Sequence, residues 1–378
     1  MKKSAEANAG RKSLPACAVF LAGGRGTRFW PRSRMRTPKQ LLNITGGDSM
    51  LRETAARLGP LFSRQNLWAV TNVEQAAAVR REMRGVAASQ ILAEPAGRNT
   101  AAAIGLAAVH IAHVHGDALM AVLPSDSHIA DAARYRRLLR AALELARTPG
   151  NLVVLGIPPT RPETGYGYIE RGAKITSHPL GIAAYAVRRF TEKPALPLAK
   201  RYVASGKFLW NAGMFFWRAS TFLDNLRQFL PETHEALLEL ARTIGTSRYA
   251  AALRRIYPQL DSISVDYAVM EPASLLPGAR HVFVIPAEVG WTDIGSWAAV
   301  YELLAAKRGA NVSAGPSFAL DASGNYFWSP KKFVAAIGVR DLIVVETDDA
   351  LLICRGDRSQ DVGQIVKWLD ARKQKPLL

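Results

Sequence analysis

Apolar residues along this chain come in short continuous runs that stop at polar or glycine-rich turns, over 16–22, 67–70, 119–123, 151–157 and 281–285. Runs of this length, apolar without alternation, read as strands buried on both faces. Between them, Ala- and Leu-rich stretches with apolar positions three and four apart predict helices over 99–115, 135–147 and 232–243. Strand and helix alternate, which predicts an α/β fold of Rossmann-like kind, with a mostly parallel mixed sheet covered on both faces. In such sheets ligands bind beyond the carboxyl ends of the strands, a rule that points at 23–28, Ser125-Asp126 and 290–293.

After about Tyr301 the pattern changes. Short glycine-punctuated runs over 318–320, 326–328, 333–337, 342–345 and 351–354 predict strands, with 347–349 as a hairpin turn between the last two. An amphipathic helix is expected over 360–373. The predicted organisation is therefore a disordered basic tail over 1–14, an α/β catalytic domain over 15–300, and a small β-rich, β-helix-like module with its closing helix over 301–378.

Composition narrows the function classes. A chain of 378 residues with 49% hydrophobic and 21% charged residues has the make-up of a globular protein of more than one core. No apolar run reaches the roughly 18–20 residues that span a bilayer, so no membrane partner is expected. The first apolar run is short and passes directly into glycines, unlike a signal peptide. Cys17 and Cys354 are too few and too far apart for a disulfide framework, which favours the cytoplasm. The net charge of +18 raises nucleic acid as a partner. The basic residues are scattered in short groups such as Arg80-Arg81 and Arg188-Arg189, without interleaved aromatics, which reads as a solvated surface and no nucleic-acid site.

The candidate chemistry is concentrated in the segment Gly23-Gly24-Arg25-Gly26-Thr27-Arg28, followed by Thr37-Pro38-Lys39-Gln40. A strand that runs into glycines lets backbone N–H groups approach a phosphate chain, while Arg28 and Lys39 supply neutralising charge. It is not a Walker A loop, since no Gly-Lys-Ser/Thr follows, and Phe29 stands where a dinucleotide fingerprint has its third glycine. Asp126 and Asp293 each follow an apolar run and are the candidate ligands of a hard cation; helix or loop capping is the other account of Asp126.

The glycine segment, with Glu94-Pro-Ala-Gly-Arg-Asn99-Thr100-Ala, Leu123-Pro-Ser-Asp126, Glu163-Thr-Gly-Tyr-Gly167-Tyr-Ile, Phe190-Thr-Glu192-Lys193-Pro, Trp210-Asn211-Ala-Gly-Met-Phe, Ser264-Val-Asp-Tyr-Ala-Val-Met-Glu and Gly290-Trp-Thr-Asp293-Ile-Gly-Ser-Trp, resembles the sugar nucleotidyltransferase family, and among its branches the mannose-1-phosphate guanylyltransferases. The resemblance covers about 16–370 and is to the short form, without the phosphomannose isomerase domain of longer members. It implies transfer of GMP from GTP to mannose 1-phosphate, giving GDP-mannose and pyrophosphate. A relative using another sugar 1-phosphate or nucleotide is the alternative. It also implies Mg2+ held by Asp126 and Asp293, and Arg28, Lys39, Asp126 and Lys193 as catalytic residues. Gly23, Gly24, Gly26, Thr27, Glu94, Asn99 and Thr100 would bind the nucleotide, and Gly167, Glu192, Lys193 and Asn211 the sugar phosphate. Helix capping accounts for Asn99 and Thr100 equally well, and an ordinary ion pair with a neighbouring arginine is the other account of Glu192. A homodimer is the candidate assembly.

Two departures and two distractions stand beside the match. Ser127 occupies the place directly after Asp126 where the family commonly has histidine, with His128 one further on, and Arg25 stands where a smaller residue is frequent. His110, His113 and His115 form a tempting metal cluster, but His115 would point away from the other two, so a structural role is expected. Trp210, Trp217, Trp291 and Trp297 lie in or beside the motifs, and packing is the simpler account of them.

Overall fold

The computed structural model describes residues 14–175, 180–276 and 281–378. The tail expected over 1–14 lies outside the described residues apart from Leu14. Strands in chain order are β1 Ala16–Leu21, β2 Leu67–Asn72, β3 Ile91–Glu94, β4 Leu119–Pro124, β5 His128–Ile129, β6 Leu152–Ile157, β7 Tyr168–Lys174, β8 Tyr185–Thr191, β9 Phe208–Arg218, β10 Val282–Pro286 and β11 Trp291–Thr292. Among the described residues, one nine-stranded sheet has the order β3-β2-β1-β4-β9-β6-β10-β8-β7. The β3-β2-β1-β4 block is parallel, as is the β6–β10 pair. The long strand β9 runs antiparallel to β4, β6 and β7, and β8 antiparallel to β7 and β10, so the sheet is mixed.

Two-sided burial explains the unbroken apolar runs. Successive residues of a strand point to opposite faces, and in β1 Cys17 and Val19 enter one core while Ala18 and Phe20 enter the other. The same division separates Met120 and Val122 from Leu119, Ala121 and Leu123 in β4. The helix Asn99–His115 covers the first face and is buried from Ala101 to Ile111, being apolar nearly all round. His110 turns into this core: its Nε2 lies 2.7 Å from Tyr249 Oη, and burial pushes its pKa down to about 4. The three histidines therefore form no metal site, and among the described residues no group of three or more His, Cys, Asp or Glu is placed to hold a metal ion. The helix Ala132–Ala146 covers the other face. Among the described residues, no helix is long and apolar enough to cross a membrane.

Beyond the helix Trp297–Leu304 the chain forms β12 Val312–Ala314, β13 Ser317–Leu320, β14 Tyr326–Trp328, β15 Val334–Ile337, β16 Leu342–Glu346 and β17 Leu351–Arg355. Parallel pairings of β12 with β14, β14 with β16 and β13 with β15 stack these strands in coils, as a β-helix does. β17 folds back on β16 through the predicted hairpin, where Thr347 N–H donates to Ala350 O at 2.8 Å. The closing helix is Val362–Ala371. The module is not a loose appendage. A third core joins Phe29, Trp30 and Met50, which follow the glycine segment, to Trp297, Tyr326, Val345, Val362 and Leu369. Trp297 is fully buried there, its ring 5.1 Å from Phe29 and 5.9 Å from Tyr326, so its truncation costs about 3–5 kcal/mol.

Candidate active site

The glycine segment leaves β1 at the carboxyl end of the parallel block and is pinned from behind by side chains. Gln40 Nε2 donates to Ala22 O at 2.7 Å and to Gly24 O at 3.3 Å, and Ser33 Oγ donates to Gly26 O at 2.7 Å. Gly26 adopts φ 61°, and a Cβ on it would stand 2.4 Å from Lys39 Cβ. Left-handed backbone and lack of space both require glycine at this position. Around Gly24 nothing lies within 4 Å of where a Cβ would stand, so this face of the loop is open to a ligand. Thr27 is placed differently from its neighbours: its Oγ1 lies 3.4 Å from the Cβ position of Gly363, facing the closing helix rather than the loop's open side.

Two distant segments meet in front of this loop. β5, just after Asp126, pairs antiparallel with β11, just before Asp293, with Thr292 opposite His128 and Trp291 opposite Ile129. This two-stranded ribbon brings both aspartates to Lys39, whose Nζ donates to Asp126 Oδ2 at 2.8 Å and to the Asp293 main-chain carbonyl at 2.5 Å. Lys39 is itself buried, 6% exposed. Tyr166 Oη donates to Asp293 Oδ1 at 2.7 Å, and burial, with the Asp293 charge beside it, holds that phenol protonated. Asp293 Oδ2 faces Gly295, where a Cβ would stand 2.8 Å from it and 3.4 Å from Arg28 Nη1. Arg28, Lys39, Asp126 and Asp293 thus converge. Two carboxylates, one with its second oxygen held by a phenol, suit a hard cation that completes its shell with water and phosphate oxygens.

On one side of this centre, Glu94 ends β3. Its Oε1 accepts a 2.5 Å hydrogen bond from Tyr257 Oη, and its Oε2 lies 3.2 Å from the Cβ position of Gly23. Burial raises its pKa from 4.5 to about 7, with the Tyr257 bond opposing. Thr100 is a structural tie, its Oγ1 accepting from Val265 N–H at 2.8 Å. The exposed Asn99 adopts φ 60° and its Oδ1 accepts from Thr100 N–H at 2.8 Å; the N-cap position itself is Arg98, with no side-chain cap hydrogen bond.

On the other side lies a cluster of carboxylates and an amide. Asn211 N–H donates to Gly167 O at 2.8 Å. Glu192 Oε2 is buried with no hydrogen-bond partner among the described residues and would stand 2.5 Å from a Cβ on Gly167, so a larger residue there would displace this carboxylate. Its other oxygen pairs with Lys193 Nζ at 2.9 Å, so the cation beside Glu192 is a lysine and not the arginine expected for an ion pair, and Lys193 holds φ 44°. Asn211 Nδ2 donates to Asp266 Oδ1 at 2.7 Å. Burial, with the Glu192 charge nearby, pushes Asp266 up from 3.8 to about 6.

Residue patterns missed Gln40, Tyr166, Tyr257 and Asp266 as members of the site. Asp266 and Tyr166 lie inside quoted motif blocks; Tyr257 carries no signal in the sequence. Of the tryptophans, Trp217 and Trp297 are fully buried, whereas Trp210 and Trp291 flank Tyr166 at 5.3 and 5.6 Å.

Residues 17–308 match the model of the nucleotidyl transferase family. The chain belongs to that family, among the mannose-1-phosphate guanylyltransferases. Residues 315–369 match the "MannoseP isomerase/GMP-like beta-helix domain", in agreement with the coiled strands. A mannose-1-phosphate guanylyltransferase of Salmonella muenchen is 38% identical over 94% of this chain and 74% of its own length. The xanthan biosynthesis protein XanB of Xanthomonas campestris pv. campestris (strain B100) is 40% identical over 93% of this chain and 72% of its own. A crystal structure from Thermus thermophilus, described as a mannose-1-phosphate geranyltransferase, superposes with TM-score 0.83 at 34% identity, covering 94% of this chain and all (100%) of that one.

Proposed function

We propose that this enzyme transfers GMP from GTP to mannose 1-phosphate, releasing pyrophosphate, in the cytoplasm. The observation that carries the reading is the Lys39 ammonium bound at once to Asp126 and to the Asp293 carbonyl, in front of the glycine loop and beside Arg28. The names of the relatives supply mannose 1-phosphate as substrate.

The reaction needs alignment and charge neutralisation more than proton transfer. The attacking phosphate oxygen of mannose 1-phosphate is already ionised at neutral pH, so no general base is required. Its bond to the α-phosphorus forms as the bond from that phosphorus to the β-phosphate oxygen breaks, and pyrophosphate leaves with the electron pair. Arg28 and Lys39 lie where the loop would present the triphosphate and would carry its growing charge. Asp126 and Asp293 would hold Mg2+, which when bound would supply positive charge to neutralise the phosphates.

Glu94 suits guanine. Guanine presents two adjacent donors on its pairing edge, N1–H and the N2 amine, which an ionised carboxylate accepts together; adenine has an acceptor at the matching ring nitrogen. The cluster of Glu192, Asn211 and Asp266 suits sugar hydroxyls, and Lys193 the sugar phosphate. Incubation with GTP, mannose 1-phosphate and Mg2+, followed by mass analysis, should show GDP-mannose and one equivalent of pyrophosphate. Unchanged substrates with folded protein would overturn the reading.

A further inference from the structure

Arg28 is held from the far end of the chain. Its Nη1 donates a 2.7 Å hydrogen bond to Gln360 Oε1, 332 residues away in sequence. Gln360 lies in the turn Gly356–Asp361 that enters the closing helix, between Ser359 and Val362, which are 1% and 2% exposed. Its backbone is therefore anchored while its side chain is presented. A Cβ on Gly363 would stand 3.4 Å from Thr27 Oγ1 and 3.9 Å from Arg28 Cγ, so the start of the closing helix lies against the loop itself. The contact continues along the chain: Trp30 Nε1 donates to Leu377 O at 2.9 Å, Arg34 pairs with Asp349 at 2.7 Å, and Met35 N–H donates to Leu378 O at 3.2 Å.

We infer that Gln360 is a positioning residue for Arg28, through which the C-terminal β-helix module completes the triphosphate site. The inference rests on the reading of Arg28 as a triphosphate ligand given above. An arginine has five N–H donors. The one directed to Gln360 fixes the guanidinium beside Gly295 and Asp293 and leaves the others for phosphate. The partner's chemistry matters as much as its place. A neutral amide oxygen orients the guanidinium without cancelling its charge, whereas a carboxylate there would compete with the phosphates. Holding one long side chain in place beforehand is worth roughly two- to tenfold in affinity.

The test measures equilibrium GTP binding and steady-state turnover for the full chain and for Gln360→Ala, Gln360→Glu, Arg28→Ala and the Arg28→Ala/Gln360→Ala pair, with thermal midpoints for each. The expected result for Gln360→Ala is GTP binding weaker by roughly two- to tenfold, with the KM for mannose 1-phosphate and the thermal midpoint unchanged. Gln360→Glu should lose more than Gln360→Ala, and Gln360→Ala should add nothing in the Arg28→Ala background. Three results would overturn the inference: wild-type GTP binding in both Gln360 variants, an equal loss with and without Arg28, or a lowered thermal midpoint with both KM values raised, which marks a merely structural role. A wild-type chain that turns over no nucleotide and sugar phosphate would overturn the reaction proposed above, and the same GTP-binding comparison would still decide on Gln360.

Discussion

Tyr166 Oη donates a 2.7 Å hydrogen bond to Asp293 Oδ1, joining the Tyr166-Gly167 loop to the carboxylate pair across 127 residues of sequence. One phenol thereby leaves Asp293 Oδ2 as the oxygen turned toward Gly295 and Arg28. Loss of a partner that orients a metal-binding carboxylate commonly costs 10–100-fold in metal affinity or activity. Tyr166→Phe is therefore expected to lower turnover by about tenfold or more and to raise the Mg2+ concentration for half activity. A magnesium titration of both proteins checks it; coincident curves would remove Tyr166 from the site.

Asp293→Asn should abolish most turnover, roughly 100-fold or more, because on the proposed reading one of the two carboxylates that would hold the charge-neutralising Mg2+ is lost. The fold should survive, since Tyr166 can still donate to the amide oxygen. Circular dichroism with a pyrophosphate-release assay separates the two effects. Near-normal activity of a folded variant would contradict the assignment.

Glu94 gives a pH dependence of definite sign. Its carboxyl holds a proton up to about 7 when folded, against an ordinary value of 4.5. The folded state then binds more protons than the unfolded one between those values, so Glu94 makes stability fall as pH rises from about 4.5 to about 7. If Glu94 receives guanine in its ionised form, as proposed, GTP binding should tighten over the upper part of that window and level off above it. Glu94→Gln is expected to flatten both trends and weaken GTP binding. Thermal melts and GTP titrations across the range test it, and an unchanged pH profile in the variant would refute it.

Asp266 predicts a trade of stability against activity. Its carboxyl, pushed up to about 6 by burial and by Glu192, carries an unfavourable buried charge at neutral pH. Asp266→Asn should raise the thermal midpoint above pH 6 and raise the KM for mannose 1-phosphate while leaving the KM for GTP near its wild-type value. A variant no more stable than wild type, or one that loses GTP binding instead, would contradict this account.

How much of this was legible in the sequence follows from the range over which each signal acts. The unbroken apolar runs of β1, β4 and β6 announce two-sided burial, and their strands lie where periodicity places them. The longest strand, β9, went unrecognised because Asn211 and Gly213 interrupt its apolar pattern, although both are held by contacts that the local pattern does not reveal. The glycine loop and both aspartates were readable from strand-end position and motif. The ribbon of β5 and β11 that brings Asp126 to Asp293 was not, since each strand is two residues long and defined only by its partner. Gln360 and Tyr257 were equally silent: a glutamine in a turn and a tyrosine after a helix acquire meaning only once Arg28 and Glu94 are found against them.

The most direct measurement is pyrophosphate release by the purified chain with Mg2+, offering GTP, ATP, UTP and dTTP against mannose 1-phosphate and glucose 1-phosphate in every combination. Release confined to GTP with mannose 1-phosphate is the predicted result. Equal or faster release from another pair, or none from any pair with the protein folded, would contradict the account.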